Sequence, residues 1–439
     1  MAGYKKGKLV AEGKTKKIWE NKNDRKTVIV EYKDDITAFN DPKFTKKFKS
    51  KGKSSNHTTC RVFELLAKAG IPTAYLEQIS DMEFAAEKCE MILLEAVSRR
   101  YAFGSYLKRN PQFAAPVGKP PVYFRKLVNE LFIKSTKGKL VIGGETLVKG
   151  LTMEQDDPLI LDPFQKKWKL MFPKIPIWDP KSDLKRTVER KKVLLGDSKR
   201  LEIIDEIMRK TFLVLEGAFS QKKFRLIDMK IEFGITEKGK LVVADVIDND
   251  SWRLRDTEWK EFSKQAFRDG EALGEVEFKY GVVSDLVSDF PNIPSQALVL
   301  WTGSEKDEMP EVPEIPGILM IKKVISGHKK TSFCLDELKK LEREFPGGGV
   351  IIAKVGMSNG LGPILATHTH WPVISIPASA KSFPDDVWSA LRMPSDVPMA
   401  LIEKDSNAVD FALNILAKKN PILYMNRRYK IEQLDTDTN

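Results

Sequence analysis

The chain contains little cysteine and no long apolar run. Its three cysteines in 439 residues, Cys60, Cys89 and Cys334, lie far apart and form no CxxC pair. This spacing argues against a disulfide framework or a zinc cluster and predicts a reducing compartment, the cytoplasm. No stretch reaches the about 18 apolar residues that a membrane span needs, so we expect no membrane partner. The N-terminal MAGYKKGKLVAEGKTKK also lacks the apolar core of a secretion signal.

Length and charge limit the classes of protein that fit. A chain of 439 residues predicts about two or three domains, and its 42% hydrophobic residues allow sizeable cores. The net charge of +12 at pH 7 predicts an anionic partner, either nucleic acid or phosphate and carboxylate substrates. The densest basic run, from Lys43 to Lys53, accompanies no known nucleic-acid-binding module, and a solvated loop explains it equally well. We therefore expect small-molecule substrates and no nucleic acid.

The N-terminal third alternates short β-rich runs and one helical pattern. Residues 9 to 39 predict an antiparallel sheet. From Ser54, SSNHTTCRVFELLAKAG predicts a capped helix that stops at Gly70. CEMILLEAVSRR is strongly apolar and predicts a strand, whereas residues 111 to 185, rich in Pro, Lys and Gly, predict extended loops.

The middle of the chain predicts a helix followed by a hairpin. Residues 199 to 219 have helical periodicity, and RLIDMKIEFGITEKGKLVVADVID predicts a β-hairpin that turns around Lys238–Gly239. A charged helical stretch is expected from Trp252 to about residue 290, and DFPNIPS then predicts a linker.

The character of the chain changes after this linker. QALVLWTGS, GGVIIAKVG and WPVISIP are continuous apolar runs, which are typical of strands buried on both faces of a parallel sheet. Helical patterns lie between and after them, including FPDDVWSALRM and NAVDFALNILAKK, so the C-terminal part predicts a doubly wound α/β domain. The expected division is a first domain over residues 1–275, a linker over 276–295 and a second domain over 296–439.

The predicted hairpin carries the most informative charges. Asp228, Lys230 and Glu232 share one face of its first strand, which is either a solvent face or a site. An even-numbered turn would place Asp245 of the second strand on the same face, and a carboxylate within LVVADVI is unexpected at a solvated position. Carboxylates converging on a lysine suit Mg²⁺ and nucleotide phosphates, because the metal prefers oxygen ligands and the phosphates need a cation.

Two further segments could hold anions. GKTK, from Gly13 to Lys16, lies between β-type runs and is no Walker A loop, but a lysine-bearing hairpin can cover phosphates. The Gly104–Ser105 turn lies between Arg99 and Arg109, where backbone N–H groups beside arginines suit a phosphate or a carboxylate. Considered alone, this segment somewhat favours an ordinary basic turn.

Together these segments match a known family. EGKTK, CEM, EAVSRRYAFGSYLKRNP, LIDMKIEFG, ADVIDNDSWRL and SKQAFRD resemble, in order, the motifs of SAICAR synthetase over residues 9 to about 270. They are most similar to the synthetase half of the animal bifunctional enzyme that also carries AIR carboxylase. The resemblance implies an α+β, ATP-binding domain, a ligase of purine biosynthesis that uses ATP and Mg²⁺ to join the carboxylate of CAIR to the amino group of L-aspartate.

The resemblance also implies roles for individual residues. Lys14 and Lys16 would cover the ATP phosphates, and Glu90 and Met91 would contact the adenine. Lys230, Glu232 and Asp245 would be catalytic, with Lys230 on the phosphates and the two carboxylates on the metal. The implied CAIR contacts are Ser54, Asn56, Arg99, Gly104, Ser105 and Arg109. The remaining implied substrate contacts are Asp250, Ser251, Arg253, Lys264, Gln265 and Arg268.

One part of the synthetase pattern is altered. The family has a short acidic DDxxxDP loop after a phenylalanine-rich strand, whereas here LVNELFIK is followed by an insertion. Only Asp156 and Asp157 of MEQDDP resemble that loop.

Three blocks of the second domain suit ligand binding. GSEKD (Gly303 to Asp307) and GMSNGLGP (Gly356 to Pro363) each follow an apolar strand, where open α/β sheets bind ligands. Their exposed backbone N–H groups could hold an anion, although glycines also allow tight packing. The third block, SGHKK, places His328 in a polar loop, and its pKa range suits proton transfer.

These blocks, with THWPVISIP and DDVWSALRMPS, resemble the animal-type AIR carboxylase domain over about residues 296 to 420. The resemblance implies a flavodoxin-like three-layer domain, a lyase that adds CO₂ to AIR without biotin, and assembly as a homo-octamer. It also implies site residues: Gly303, Ser304 and Asp307 for AIR, catalytic His328 and Lys329, and Ser358 with Asn359 for CO₂.

The second domain departs from the family pattern at three places. Lys306 replaces a serine, Met357 replaces an arginine, and the proline-rich EMPEVPEIPG cannot form the helix that normally follows the first strand. The leading interpretation is a bifunctional purine-biosynthesis enzyme. The alternatives are a synthetase with a weak or inactive C-terminal assembly domain and, third, a basic nucleic-acid-binding protein.

Overall fold

A computed structural model describes residues 3–37 and 45–434 of the chain. The described residues divide into two units: one reaches Pro291 and also includes the chain from Tyr429 onward, and the other spans Asn292–Arg428. Lys43 of the basic run and the last two positions of the predicted N-terminal sheet, 38 and 39, lie outside the described residues. No helix within the described ranges is long and apolar enough to cross a membrane.

The first unit contains strands and helices in the following order along the chain. They are β1 (Lys6–Glu12), β2 (Lys16–Asn21), β3 (Thr27–Tyr32), β4 (Asp35–Thr37), β5 (Thr45–Lys47), α1 (Lys51–Lys68), β6 (Tyr75–Gln78), β7 (Glu83–Glu87), β8 (Cys89–Tyr101), α2 (Ser105–Arg109), β9 (Tyr123–Ile133), β10 (Leu140–Ile142), β11 (Glu145–Val148), β12 (Leu159–Ile160), β13 (Lys167–Met171), β14 (Asp183–Glu189), α3 (Arg190–Val193), α4 (Arg200–Gln221), β15 (Arg225–Thr236), β16 (Leu241–Ala244), β17 (Trp252–Arg255), α5 (Gln265–Arg268) and α6 (Leu273–Val287).

Two antiparallel sheets organise this unit. The first has the order β1-β2-β3-β7-β6, which confirms the predicted N-terminal sheet. The larger sheet has the order β14-β13-β12-β9-β8-β15-β16, with β17 paired to β15. The predicted strand over CEMILLEAVSRR is β8, and the predicted helix over 199–219 is α4. An α+β first domain is therefore confirmed.

The prediction that residues 111–185 form loops was wrong. Six strands, β9 to β14, lie there, and β9 pairs with β8 near the middle of the large sheet. In β13 the side chains alternate: Trp168 and Leu170 are buried while Lys167 and Lys169 are exposed. Lysines on the solvent face and Pro and Gly in the connections hid the period of two that marks a half-buried strand.

Helix α1 begins three residues before the predicted start. The Asp34 side chain accepts a hydrogen bond from the Gly52 backbone N–H (3.0 Å), so an acceptor from outside the helix satisfies one of its free N-terminal donors. Ser54 is consequently an interior position of the first turns, and its side chain is nearly fully buried. As predicted, the helix stops before Gly70, which has a φ of 72°.

The segment after Trp252 is not one helix. It opens with β17, in which Trp252 and Leu254 are buried against β15, and continues to the short α5 and to α6. Helix α6 lies largely within the stretch 276–295 that was expected to be a linker, but it packs on α1 inside the first unit and buries Tyr280.

The second unit is an all-parallel sheet with helices around it. Its elements are β18 (Gln296–Thr302), β19 (Ile318–Val324), α7 (Thr331–Glu344), β20 (Gly349–Val355), α8 (Leu361–Ala366), β21 (Val373–Pro377), α9 (Trp388–Leu391), β22 (Met399–Leu401), α10 (Asp405–Leu416) and α11 (Pro421–Leu434), the end of which counts with the first unit.

The order β19-β18-β20-β21-β22 is the flavodoxin-like 2-1-3-4-5 order, so the predicted doubly wound domain is confirmed. Separate apolar cores lie on the two faces of the sheet, one including Leu338 of α7 and Leu365 of α8, the other including Ala412 of α10. Residues 303–317, all described, contain no helix, as their prolines predict.

Candidate functional site

One cluster of the first unit, which we call the lysine–carboxylate cluster, gathers six side chains from both sheets. Its members are Lys16, Glu95, Lys134, Lys230, Glu232 and Asp245. Lys230 donates to Glu232 Oε1 (2.8 Å) and to Glu95 Oε1 (3.0 Å). Lys134 donates to the other oxygen of Glu232, and Lys16 donates to Asp245. The cluster thus alternates cations and carboxylates, which is the chemistry that a metal–nucleotide complex needs.

The two strands of the predicted hairpin, β15 and β16, pair in a different register from the expected one. Glu232 pairs with Ala244, so even positions face even positions, and the parity argument for Asp245 was wrong. The turn between Thr236 and Lys240 has an odd number of residues, with Gly239 at a φ of 76°. Asp245 still joins the cluster, because it follows the strand at a φ of 64° and meets Lys16. A left-handed backbone, rather than strand pairing, aims this carboxylate.

Neighbouring charges and burial shift the pKa values of several groups in the cluster. Burial alone would raise the pKa of Glu232, but Lys230 and Lys134 outweigh it and hold its pKa at about 2. Burial lowers the pKa of Lys16 to about 8, since the nearby carboxylates only partly offset the loss of water. The pKa of Lys230 is raised, because Glu95 and Glu232 outweigh its burial. Glu232 therefore stays ionised at neutral pH, as a metal ligand must.

Sequence reasoning missed Glu95 and Lys134. Glu95 lies within the apolar run of β8, so the argument used for Asp245, a carboxylate where a solvated group is unexpected, would have found it. Lys134 directly follows β9, in a segment that was predicted to be loop, and nothing in its own surroundings distinguishes it from the many other lysines.

The end of the insertion after β9 lies beside the lysine–carboxylate cluster. Ser135 donates its backbone N–H to Asp157 Oδ1 (2.9 Å), and its hydroxyl donates to Asp156. The two aspartates that resemble the acidic loop of the family are thereby held beside Lys134, although about twenty residues separate them from it in sequence.

A second cluster, the arginine cluster, consists of Arg99, Arg109, Glu130, Asp228 and Arg253. Arg99 donates to Glu130 (2.7 Å) and to Asp228, and Arg253 donates to the same Asp228 oxygen (2.6 Å). Arg109 donates to Glu130 and to the Pro173 carbonyl and has no exposed surface. Arg109 therefore holds Glu130 in place and is buried away from solvent.

The predicted Gly104–Ser105 turn closes over this cluster. Gly104 has a φ of 59°, and a Cβ there would lie 2.7 Å from Arg253 Nη2, so only glycine fits. Ser105 Oγ accepts a long hydrogen bond from Arg99 (3.4 Å). Arg99, Gly104, Ser105 and Arg253 are thus brought together, as the resemblance implies, and two guanidinium groups lie beside the half-buried Gly104–Ser105 turn.

Asp250 is the centre of a neighbouring group. It accepts hydrogen bonds from Tyr280 Oη (2.6 Å) and Lys264 Nζ (2.8 Å), and the fully buried Lys51 ammonium lies 3.7 Å away. Burial would raise the pKa of Asp250, but Lys51 and Lys264 outweigh it and lower the pKa. The pKa of Arg268 is lowered by burial and by Arg253, which places Arg268 between this group and the arginine cluster.

Several predicted site residues form hydrogen bonds to other parts of the first unit or lie outside these clusters. Asn56 is buried and donates to the Ser80 carbonyl (2.9 Å), while the Ser251 hydroxyl donates to the Val246 carbonyl (3.2 Å). Gln265 donates to Asp269 on the surface of α5 (2.8 Å). Three predicted ATP contacts lie outside these clusters: Lys14 is exposed in the β1–β2 turn, and Glu90 and Met91 are at the start of β8.

In the second unit the predicted residues all follow strand ends at the carboxyl edge of the sheet. Gly303, Ser304 and Asp307 follow β18, His328 and Lys329 follow β19, and Ser358 and Asn359 follow β20. A Cβ on Gly360 would lie 2.3 Å from His328 Nε2, so the imidazole packs directly on the backbone of the glycine-rich loop. Two of the three loops therefore meet at His328, as expected for a switch point of an open sheet.

The glycine-rich loop is conformationally strained. Met357 and Ser358 both have left-handed backbones, with φ of 51° and 84°, which non-glycine residues rarely adopt. Asn359 donates to Ser375 Oγ (2.6 Å) and accepts from the Gly362 N–H (3.0 Å), so its side chain holds the loop in place. Met357 is 68% exposed and leaves no guanidinium where the family has an arginine.

A cleft of about 1180 Å³ opens beside these loops. Its lining includes Asp307 but neither His328 nor Ser358, and it adds Lys306, Ser379 and Lys381. Burial raises the pKa of Asp307. Asp307 is thus the one predicted residue of this unit among the named lining of the cleft.

Comparisons with known proteins agree with this division. The family model of SAICAR synthetase matches residues 9–139 and 176–284, and the model of AIR carboxylase matches residues 306–435. The unmatched stretch 140–175 contains most of the insertion, including Asp156 and Asp157.

Similar proteins cover both units. The chain is 32% identical to the "Multifunctional protein ADE2" of Gallus gallus over 97% of this chain and 93% of the relative. It is 31% identical to the human "Bifunctional phosphoribosylaminoimidazole carboxylase/phosphoribosylaminoimidazole succinocarboxamide synthetase" over 97% and 93%. A "Phosphoribosylaminoimidazole-succinocarboxamide synthase" of Chloroflexus aurantiacus is 30% identical over 64% of this chain and 96% of its own length.

Proposed function

This chain belongs to the family of bifunctional enzymes that join a SAICAR synthetase domain to an AIR carboxylase domain, and we propose that its two units catalyse those two reactions of purine biosynthesis. The second unit, a lyase, carboxylates AIR with CO₂ to give CAIR. The first unit, a ligase, joins CAIR to L-aspartate with ATP and releases ADP and phosphate. The extent of the matches over both units favours this function over a synthetase with an inactive assembly domain.

The observation that carries the synthetase proposal is the shared face of strand β15. Asp228, Lys230 and Glu232 alternate along it, so successive members lie about 7 Å apart. Asp228 belongs to the arginine cluster, whereas Lys230 and Glu232 belong to the lysine–carboxylate cluster. Sites for an anionic acceptor and for nucleotide phosphates therefore lie side by side.

This arrangement suits phosphoryl transfer to a carboxylate. A carboxylate is a poor electrophile, so ATP first phosphorylates it, and the amine then displaces phosphate. Lys16, Lys134 and Lys230 are positioned to stabilise the charge on the transferred group. Arg99 and Arg253, each with a planar guanidinium, would hold the phosphate or carboxylate of CAIR. Lys264 and Arg268 would hold carboxylates of the second substrate.

The donor set also fits Mg²⁺. This ion usually binds one or two carboxylates together with substrate phosphates, and Glu232 and Asp245 offer two carboxylates beside the lysines. When bound, the ion would neutralise charge on the phosphates. Glu232 and Asp245 would hold it and keep it beside Lys230.

In the second unit, we propose that His328 moves the proton at the carbon that gains CO₂. Its ring lies against the backbone of the Gly360 loop, which also carries Ser358 and Asn359. Asp307, at the mouth of the large cleft, and Ser304 would hold AIR, and Lys329 would orient it. The Ser358 loop would hold CO₂.

The remaining expectations belong to the same proposal. We propose a homo-octamer assembled mainly through the second unit, in the cytoplasm, where Cys60, Cys89 and Cys334 would stay reduced, as they are here. We also propose a domain boundary near Pro291, after α6, supported by the division of the described residues at that point.

A paired assay of the purified chain tests the proposed function. AIR with bicarbonate should give CAIR, and CAIR with aspartate and Mg²⁺·ATP should give SAICAR. Product from the second reaction alone would support the synthetase and overturn the carboxylase half. No product from either would overturn both.

We predict that Asp245→Asn raises the Mg²⁺ concentration for half-maximal synthetase turnover about tenfold or more. Replacing a carboxylate by an amide removes one charge-assisted contact, worth on the order of 1.5–3 kcal/mol. The measurement is a Mg²⁺ titration of turnover, supported by calorimetry of Mg²⁺·ATP binding. Asp289→Asn, an exposed carboxylate paired with Lys222, is the control. An unchanged titration would remove Asp245 from the metal site.

We predict that a fragment ending at Pro291 is soluble and has a lower oligomeric order than the full chain. The second unit carries the proposed assembly surface, and a synthase matching only the first part of this chain exists as a protein of its own. The fragment also lacks the residues from Tyr429 onward, so a lower melting temperature is expected. Light scattering of both proteins at equal concentration decides the issue. A fragment with the full-length assembly state would place the interface in the first unit.

A further inference from the structure

Amide formation requires a group that takes a proton from the amine. An α-amino group is mostly protonated at neutral pH and cannot attack until it loses a proton. The carboxylates of the two clusters are poorly suited to this task, because each is paired with a lysine or an arginine. Glu232 is paired with two lysines, Asp228 with two arginines, and Asp245 with Lys16. Such pairing keeps a carboxylate ionised and weakly basic.

Asp157 differs from these groups. Its Oδ1 accepts hydrogen bonds from the Ser135 N–H (2.9 Å) and hydroxyl (3.3 Å), and its own N–H donates to Ser135 Oγ (3.0 Å). Among the described residues, Asp157 has no ion pair, and its Oδ2 makes no hydrogen bond. One oxygen is therefore fixed by Ser135, while the other remains available to a ligand.

The backbone holds Asp157 beside the lysine–carboxylate cluster. Ser135 directly follows Lys134, which donates to Glu232, so the two contacts tie the end of the insertion to the end of β9. Asp157 has a φ of 51°, a left-handed conformation that a non-glycine residue keeps only where its surroundings impose it. The insertion thus ends in a strained turn that presents one carboxylate at the cluster.

The electrostatic surroundings support the same role. Burial, together with the charges of Glu95 and Asp156, raises the pKa of Asp157 to about 6, and the Ser135 hydrogen bonds oppose this shift. The charged groups around it are Glu95 on β8, Asp156 on its own loop and Lys134 directly after β9, with Lys230 paired to Glu95. A base with a pKa near neutrality both exists in its ionised form and takes up protons effectively.

We propose that Asp157 is the proton acceptor for the amine in the amide-forming step of the synthetase unit. In that step the ammonium gives one proton to Asp157 Oδ2, and the amine attacks the acyl phosphate. The new C–N bond forms as the C–O bond to phosphate breaks. The second nitrogen proton leaves with the phosphate as HPO₄²⁻, and Asp157 later releases its proton to water. This inference rests on the proposed synthetase function.

The test uses the full chain with Asp157→Asn and compares two nucleophiles. With aspartate, whose amine must be deprotonated, we expect kcat/KM to fall on the order of 10²–10³-fold, and its decline as pH falls through about 6 to disappear. Hydroxylamine, a weakly basic amine that is already unprotonated at neutral pH, needs no such base. Its reaction should therefore fall less than about tenfold.

Two further variants keep the test decisive. Asp156→Asn removes the neighbouring charge that also contacts Ser135 and should keep the acidic limb of the pH profile. Asp157→Glu preserves a carboxylate and should recover part of the activity together with that limb, and circular dichroism checks that each variant is folded.

Equal losses with both nucleophiles would assign Asp157 to substrate or metal binding and overturn the inference, as would an unchanged pH profile. Either result leaves the proposed function intact, provided that the unaltered chain makes SAICAR. A folded but inactive unaltered chain would overturn both the function and the inference.

Discussion

We expect Lys230→Ala to lower synthetase turnover on the order of 10²–10³-fold and to leave the first unit folded. Removing one positioned donor from a developing negative charge has an effect of this size. Lys230 also donates to Glu95 and Glu232, so its loss leaves Glu95 without its cation and adds uncompensated negative charge beside the nucleotide phosphates. The side chain is one-third exposed and contributes little to the core, which is why stability should change little.

The measurement is steady-state turnover with saturating CAIR, aspartate and ATP, together with a thermal melt. Lys260→Ala is the matched control, since Lys260 is exposed and its ammonium pairs with the exposed Glu258. Near-normal turnover of the Lys230 variant would show that the cluster is a surface ion-pair network and would require another phosphate site.

We expect Arg109→Leu to destabilise the first unit by about 3–5 kcal/mol, the range for removing one partner of a buried ion pair. Arg109 is fully buried between Glu130 and the Pro173 carbonyl, so the variant leaves Glu130 with Arg99 alone and the carbonyl without a donor. For a unit of this size the melting temperature should fall on the order of 10 °C. This stabilising role differs from the role in binding CAIR that the family resemblance implies for Arg109.

Calorimetric melts of the variant and of Arg25→Leu, an exposed arginine in the β2–β3 connection, measure the difference. The KM for CAIR at a temperature where both proteins are folded provides the second readout. An unchanged melting temperature with a strongly raised KM would show that Arg109 faces the ligand.

The residues of the site were more predictable than their geometry. Lys230 and Glu232 were found because alternation along a strand is a local property, and β15 keeps that alternation. Asp245 was assigned correctly to the same group for an incorrect reason, because the length of the turn and the left-handed backbone at Asp245 depend on contacts outside the hairpin. A parity argument fails wherever the turn has an odd number of residues instead of the expected even number.

The sequence analysis missed residues that reach the site only through contacts between distant segments of the chain. Lys134 and Ser135 follow a strand that was predicted to be loop, and their importance arises only when β9 pairs with β8 and brings them to Glu232 and Asp157. The family resemblance implies a substrate contact for Arg109, but the sequence did not predict its burial, which depends on Glu130 of the same unpredicted strand. Sequence spacing contains no information about such long-range neighbours.

The order of strands in the second unit was easier to anticipate. Each buried parallel strand is marked by its own continuous apolar run, and parallel strands need crossover segments, so the pattern alone predicts a doubly wound sheet. It also places Ser304, His328 and Ser358 at one edge, because all three follow strand ends. The contact between His328 and the Gly360 backbone, and the cleft beside Asp307, depend on how the loops pack.

The sequence by itself determined the two fold classes, the family and most of the charged residues of the site. These follow from local periodicity and from ordered motifs, which persist in any correct fold. Only the tertiary structure decided which charges neutralise each other, which arginine is buried and which carboxylate stays unpaired. Ion pairing and desolvation depend on distances between segments far apart in the chain, and Asp157 meets Ser135 only after the intervening insertion has folded back on β9.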